Sequence, residues 1–274
     1  MSAMPLHNKV GAIVALTAIG WFGSFTLTWP TRVVFWHGFS FTLSGRMLLG
    51  LVLLGVACAG TDSIVHEYNP QQQEAAVGGP RIHHPALHWI LPAGLTSASW
   101  ALLARPGALQ EKAVWVVIAS VLLALLIYAE YYTAHAAARW RPMVYFALQF
   151  IAYPVAALMY FAIRESLLAT RIAADVVAIA SALLCLRLLG EEQCPLYRVL
   201  LSSLGVGSCL GMLSWSLRPR MASSLQYSLL LVIGLYVLGG LARQFLRGKL
   251  RKEISLEYLL VGALALLLLF LYRH

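Results

Sequence analysis

Long apolar stretches and short polar connections alternate along the whole chain. A helix needs roughly 20 apolar residues to cross about 30 Å of hydrocarbon. The stretches do not show the strict alternation of apolar and polar positions that barrel strands require, so we predict helices. We predict an all-α, polytopic transmembrane bundle of about nine spans, at 10–28, 44–60, 86–104, 113–134, 143–163, 169–189, 196–216, 223–243 and 255–272.

Eight spans is the alternative count, because Gly, Ser and Pro lower the hydrophobicity of the second and third stretches. The sequence predicts a single integral membrane domain, 1–274, whose longest connecting loop is 62–85, rich in Gln, Gly and Pro. Only one lysine, Lys9, precedes the first stretch, which we interpret as a retained helix and not as a signal peptide.

The composition supports lipid as the solvent. Hydrophobic residues make up 60% of the 274 residues and charged residues only 11%, whereas a soluble domain carries about 25% charged residues. The net charge of +9 could suggest nucleic-acid binding, but in a polytopic protein basic loop residues set the topology. We therefore predict the lipid bilayer as partner, with no nucleic acid.

Basic residues set the expected orientation. With nine spans, eleven Lys and Arg residues fall on the N-terminal side and nine on the other, and the block 241–252 supplies five of the eleven. This block favours a cytoplasmic N-terminus and an external C-terminus. We expect the bacterial inner (plasma) membrane as the location.

Two ionisable residues in the sixth stretch are candidates for an intramembrane site. Asp175 lies about 6 Å from the middle of that stretch, and Arg171 lies four residues earlier on the same helical face. The face continues with the small residues Ala178, Ala182 and Cys185, so we expect it to point into the bundle. A structural Arg–Asp pair and a substrate or proton site both remain open.

Glu130 is the acid of the fourth stretch, about 10 Å from its middle. Tyr128, Tyr131 and Tyr132 surround it, as in an aromatic belt at headgroup depth. We interpret Glu130 as an interfacial acid, with proton or cation handling as the alternative. Gln149 in the fifth stretch and the seam 96–99 in the third are further polar candidates, more typical of helix packing than of binding.

Acids and histidines cluster near the second and third stretches, including Asp62, His84 and His88. His84 and His88 would lie one turn apart on a helix, a usable metal spacing. There is no second histidine box, so we predict no metal site and treat these residues as interfacial candidates. We also find no phosphate loop, nucleophile elbow or haem-attachment motif. No cofactor is predicted, and an enzyme is the less favoured class.

Three runs carry a family resemblance: TDSIVHEYNP, LIYAEYYTAHA and ISLEYLLVGAL. Together they resemble an uncharacterised family of bacterial multi-pass inner-membrane proteins. The resemblance implies a membrane location and no particular chemistry. It points to Asp62, Glu130 and Glu257, which all fall near the ends of predicted spans.

Three functions are compatible with this sequence. The first is a non-enzymatic accessory or assembly subunit that packs against other membrane protein subunits. The second is a transporter or lipid-handling protein with a polar cavity near Asp175, Gln149 and the seam 96–99. The third is a membrane enzyme acting on a lipid or isoprenoid through Glu130 and the loop histidines.

Overall fold

The structure is a computed structural model that describes residues 5–27, 31–36, 39–66, 85–135, 140–166, 168–190, 194–221, 223–248 and 252–271. Within these ranges nine α-helices, one 3-10 helix and one two-stranded hairpin follow each other. In chain order they are α1 (Leu6–Thr26), β1 (Thr31–Trp36), β2 (Phe39–Ser44), α2 (Gly45–His66), a 3-10 helix (Pro85–Trp89), α3 (Ile90–Leu103), α4 (Leu109–His135), α5 (Arg141–Glu165), α6 (Thr170–Leu189), α7 (Leu196–Leu217), α8 (Ser224–Leu246) and α9 (Lys252–Leu271).

The predicted helical bundle is confirmed. In the described part of the chain, seven helices are long and apolar enough to cross a membrane: α1, α2 and α4 to α8. A helix satisfies its own backbone hydrogen bonds, which is why long apolar stretches fold this way in lipid. Their number indicates a multi-pass membrane protein.

The third predicted span and the predicted loop differ from expectation. The third stretch forms the 3-10 helix followed by the 14-residue α3, whose length of about 21 Å is short for a membrane crossing. The loop predicted at 62–85 starts later, because α2 continues to His66. Residues 67–84 of that loop lie outside the described residues.

A β-hairpin between α1 and α2 was not anticipated. β1 and β2 pair antiparallel, with Thr31 opposite Ser44 and Trp36 opposite Phe39. The two strands, TRVVFW and FSFTLS, are rich in β-branched and aromatic residues, which favour the extended backbone. The polar residues among them are what kept this segment out of the predicted spans.

The predicted single membrane domain contains two compact units. Unit 1 comprises Met1–Pro70 and Pro92–Ile151, and unit 2 comprises Gln71–Leu91 and Ala152–His274. In unit 1, α1 packs against α2 and α4. Gly20 of α1 lies close against Leu53 of α2, and Gly60 of α2 lies against Ile13 of α1, so small residues bring these two helices together.

Unit 2 is built around α6 and α7, which form the most extensive helix contact of the described chain. A Cβ on Gly207 of α7 would lie 2.5 Å from the backbone oxygen of Ala178, and one on Gly211 would lie 2.7 Å from the Cβ of Ala178. The small-residue ridge on α7 therefore allows close backbone packing. α8 packs on α7, and α9 packs on α8.

Candidate functional site

The structure corrects the expected orientation of Asp175 and Arg171. Both side chains are exposed on α6, and neither forms an ion pair with another described residue. For these two residues the expectation that the face points into the bundle was wrong. The Arg–Asp pair, one of the two alternatives left open, is not formed among the described residues. Ala178 and Ala182 do face α7, but Asp175 lies at the edge of the contact, beside the exposed Ile172 and Ile179.

Glu130 is completely buried on α4, together with Leu126 and Ile127. It lies about 7 Å from the C-terminal end of the helix. Tyr132 is 51% exposed and its ring meets that of Tyr131 edge-on, with ring centroids 5.5 Å apart. The carboxylate therefore faces packed protein, while a neighbouring tyrosine faces outward, and the interfacial depth of Glu130 stays a prediction.

The other polar candidates of the spans belong to unit 1. Gln149 of α5 is half-buried. In the seam on α3, Thr96 and Ser99 are buried, while Ser97 is exposed and donates to the backbone oxygen of Gly94 at 3.1 Å. Asp175 belongs to unit 2. The three parts of the predicted cavity are therefore divided between the two units.

The interfacial candidates are placed on helices where they are described. Asp62 is half-buried near the end of α2, His88 is half-buried in the 3-10 helix, and Glu257 is exposed on α9. His84 lies outside the described residues. Among the described residues, no group of three or more His, Cys, Asp or Glu side chains is arranged to hold a metal ion.

One end of unit 2 carries two arginines that connect different loops. Arg164, at the end of α5, donates from Nη2 to the backbone oxygen of Met221 at 2.7 Å. Arg218, just after α7, donates from Nη2 to the backbone oxygen of Ser166 at 3.0 Å. Each loop thus supplies an acceptor for the arginine of the other, and we call these two residues the arginine pair.

Three neighbours complete the surroundings of the arginine pair. The hydroxyl of Ser224 donates to the carboxylate of Glu165, which ties the start of α8 to the end of α5. The guanidinium of Arg164 lies over the ring of Tyr227, 5.7 Å from its centroid, within the range of a cation–π interaction. Burial lowers the pKa of Arg218 from its ordinary value, and the nearby charge of Arg164 acts in the same direction.

Two buried hydroxyl pairs lie between the helices of unit 2. Tyr160 Oη on α5 and Ser181 Oγ on α6 are 2.8 Å apart. Ser214 Oγ on α7 and Tyr227 Oη on α8 are 2.6 Å apart. Because each polar atom has a partner in the pair, these side chains can be buried at low cost. They join α5 to α6 and α7 to α8 within the protein.

The opposite end of unit 2 also holds buried arginine. Arg187, in the last turn of α6, is only 1% exposed. Arg243 of α8 donates from Nη2 to the backbone oxygen of Leu188 at 2.8 Å. The last carbonyls of a helix lack partners within the helix, so this arginine satisfies an acceptor at the end of α6.

In the sequence, these arginines are recognisable only as signals of topology. Arg187 carries the clearest available signal for a buried role, because it lies inside the run LLCLRLLG with leucine on nearly every side. The partners of Arg164 and Arg218 lie 57 and 52 residues away. Such pairs depend on the tertiary fold, and no local pattern predicts them.

The pocket between α7 and α8 is apolar. It has a volume of about 360 Å³, opens to the outer surface of the helices, and is lined by residues that include Val206, Cys209, Leu238 and Phe245. Asp175 is not part of its lining. It is therefore no substitute for the polar cavity that the sequence suggested.

Comparison with known proteins identifies the family of the chain. No curated protein and no solved structure matches it. One family model, described as a protein of unknown function (DUF5656), matches residues 29–272. This match agrees with the resemblance to an uncharacterised family. The chain belongs to the DUF5656 family.

Proposed function

We propose that this protein is a non-enzymatic accessory or assembly subunit of a bacterial inner-membrane complex, with its N-terminus in the cytoplasm. The outward face of α6 is its contact with a partner. The exposed carboxylate of Asp175 supports this proposal above all, because it lies about 6 Å from the middle of a helix long enough to cross the membrane.

The energetics favour a covered carboxylate. An aspartate at the centre of a membrane helix costs about 2.5–3.5 kcal/mol on an insertion scale. Ile172 and Ile179, which are 53% and 62% exposed, make much of this face apolar, and Arg171 is a second exposed charge one turn from Asp175. A partner helix with a cation or a hydrogen-bond donor at the depth of Asp175 and apolar residues around it would fit this face.

Co-purification from native membranes tests the proposal. We expect the full chain in mild detergent to retain a stoichiometric partner, and Asp175→Leu to lose it while still inserting into the membrane. Losing one member of a buried charge pair costs about 2–5 kcal/mol, so recovery of the partner should fall at least about tenfold. Glu257→Leu is the matched control, because it removes another exposed carboxylate, on α9.

Site-specific cross-linking locates the contact. A photo-reactive residue at position 179 should capture the partner, whereas one at position 201, where Leu201 is 71% exposed on α7, should not. A monodisperse wild-type monomer without a stoichiometric partner would contradict the proposal. Cross-links that join only second copies of this chain would replace the accessory role with self-association.

The two alternatives have less support. A transporter with a polar cavity at Asp175 would need that carboxylate inside the protein, and its side chain is exposed. An enzyme at headgroup depth would depend on Glu130, which is completely buried, and on His84, which lies outside the described residues.

A further inference from the structure

The arginine pair retains hydrogen-bonding capacity that the protein does not use. Arg164 Nε and Arg218 Nη1 are both buried and have no hydrogen-bond partner among the described residues. Arg218 as a whole is only 7% exposed. An unpaired buried donor is destabilising, and more so when the group is charged. Two such donors on neighbouring cations therefore favour an anionic acceptor.

The position of the arginine pair at the helix ends limits which anions can reach it. Four helix ends meet the same loop region: α5 ends at Glu165, α6 begins at Thr170, α7 ends at Leu217 and α8 begins at Ser224. These four helices are long enough to cross the membrane, so their ends lie at the depth of the lipid headgroups. Phospholipids supply phosphate groups at this depth.

The local charge and geometry favour phosphate over other ligands. The guanidinium group presents several donors in a planar arrangement that matches phosphate oxygens. Glu165, the acid next to the pair, accepts the hydroxyl of Ser224 and offsets part of the positive charge. Arg220, exposed in the same loop, adds a further cation, so the region keeps a net positive charge.

We propose that Arg164 and Arg218 bind a phosphate group, that of an anionic phospholipid in the leaflet at this end of unit 2. The bound oxygens accept from the two unused donors after a small side-chain adjustment. Tyr227, beneath the guanidinium of Arg164, holds that side chain in place. The site is separate from the Asp175 face and does not depend on the proposed subunit role.

Native mass spectrometry of the purified full chain tests this site with three probes. Phosphatidylglycerol should bind with one molecule per chain, diacylglycerol with the same acyl chains should not, and inorganic phosphate at millimolar concentration should compete only weakly. The first two probes differ in the phosphoglycerol headgroup. Equal retention of phosphatidylglycerol and diacylglycerol by the wild type would overturn the proposal, whatever any variant does.

Variants assign the binding to the arginine pair. Arg218→Gln should weaken phosphatidylglycerol binding about tenfold or more, the effect of losing one charged hydrogen bond. Arg220→Gln removes the same charge from the same loop and should change the binding less than about twofold. Equal loss in both variants would show general attraction to positive charge and overturn the assignment.

Two further results are decisive. Arg218→Lys keeps the charge and changes the donor geometry, so it should fold and bind with intermediate strength. Binding by Arg218→Lys at the wild-type level would overturn the role of the guanidinium. Strong competition by inorganic phosphate would overturn the lipid as the source of the ligand.

Discussion

At the scale of single residues, Gly207 sets the distance between α6 and α7. A side chain at this position would meet the backbone of Ala178 at 2.5 Å and the Cβ of Ala182 at 2.7 Å. Backbone cannot move aside as the end of a flexible side chain can, so one added methyl group must separate the helices. A Cβ added at Gly205, two residues earlier, would have no atom within 4 Å.

We expect Gly207→Ala to lower the free energy of unfolding by about 1–3 kcal/mol, the usual cost of overpacking. Gly205→Ala is the control and should be neutral or slightly stabilising, because alanine is the better helix former. Thermal unfolding of both variants in the same detergent measures the difference. Equal midpoints for the two variants would contradict the close approach of α6 and α7.

At the scale of elements, arginines connect helix ends to each other. Arg46 at the start of α2 donates to the backbone oxygen of Leu103 at 2.9 Å, at the end of α3. Arg243 of α8 does the same for Leu188 of α6. In a membrane protein the last carbonyls of a helix have little access to water, so a long cationic side chain from another helix is an effective cap.

We expect Arg243→Met to destabilise unit 2 by about 1.5–3 kcal/mol, because it removes a charged hydrogen bond and leaves the carbonyl of Leu188 without that donor. Arg198→Met is the matched control, because Arg198 is exposed and both its hydrogen bond and its cation–π contact are with the adjacent Tyr197. Unfolding of both variants in one detergent gives the comparison. A stability loss of equal size in Arg198→Met would contradict the capping role.

The positions of the helices could be predicted from the sequence, but which side of each helix packs against other helices could not. The lengths of the apolar runs placed α6 within one residue of its observed limits. The face of α6 was assigned from its small residues, and a helix turns 100° with each residue. Ala178 and Ala182 do meet α7, yet Asp175 and Arg171 fall just beyond that contact.

At the scale of the whole molecule, the path of the chain depends on how many helices cross the membrane. Seven described helices satisfy the requirements for a span. The 3-10 helix with α3, and α9, occupy the other two predicted positions. The orientation was predicted from charge bias alone. However, Arg187 is buried and Arg243 binds a backbone oxygen of α6, so some basic residues also stabilise the fold.

Topology reporters test the count and the orientation together. A phosphatase fused after His274 should be active outside the cytoplasm if nine segments cross, whereas one fused after Gly248, within the basic block, should be inactive. A fluorescent protein that folds only in the cytoplasm should give the reverse pattern at both positions. An inactive phosphatase at both positions would show that α9 does not cross. An active phosphatase after Gly248 with an inactive one after His274 would support eight crossings without α3.

The exposure of Asp175 also has a consequence for the amount of this protein in the cell. Under the proposed subunit role, a copy made in excess of the partner leaves this carboxylate uncovered, at a cost of at most about 2.5–3.5 kcal/mol, and α6 is then less stable in the bilayer. Surplus copies are then the better substrates for membrane proteases. The proposed role therefore predicts that the steady amount of the chain follows the supply of the proposed partner.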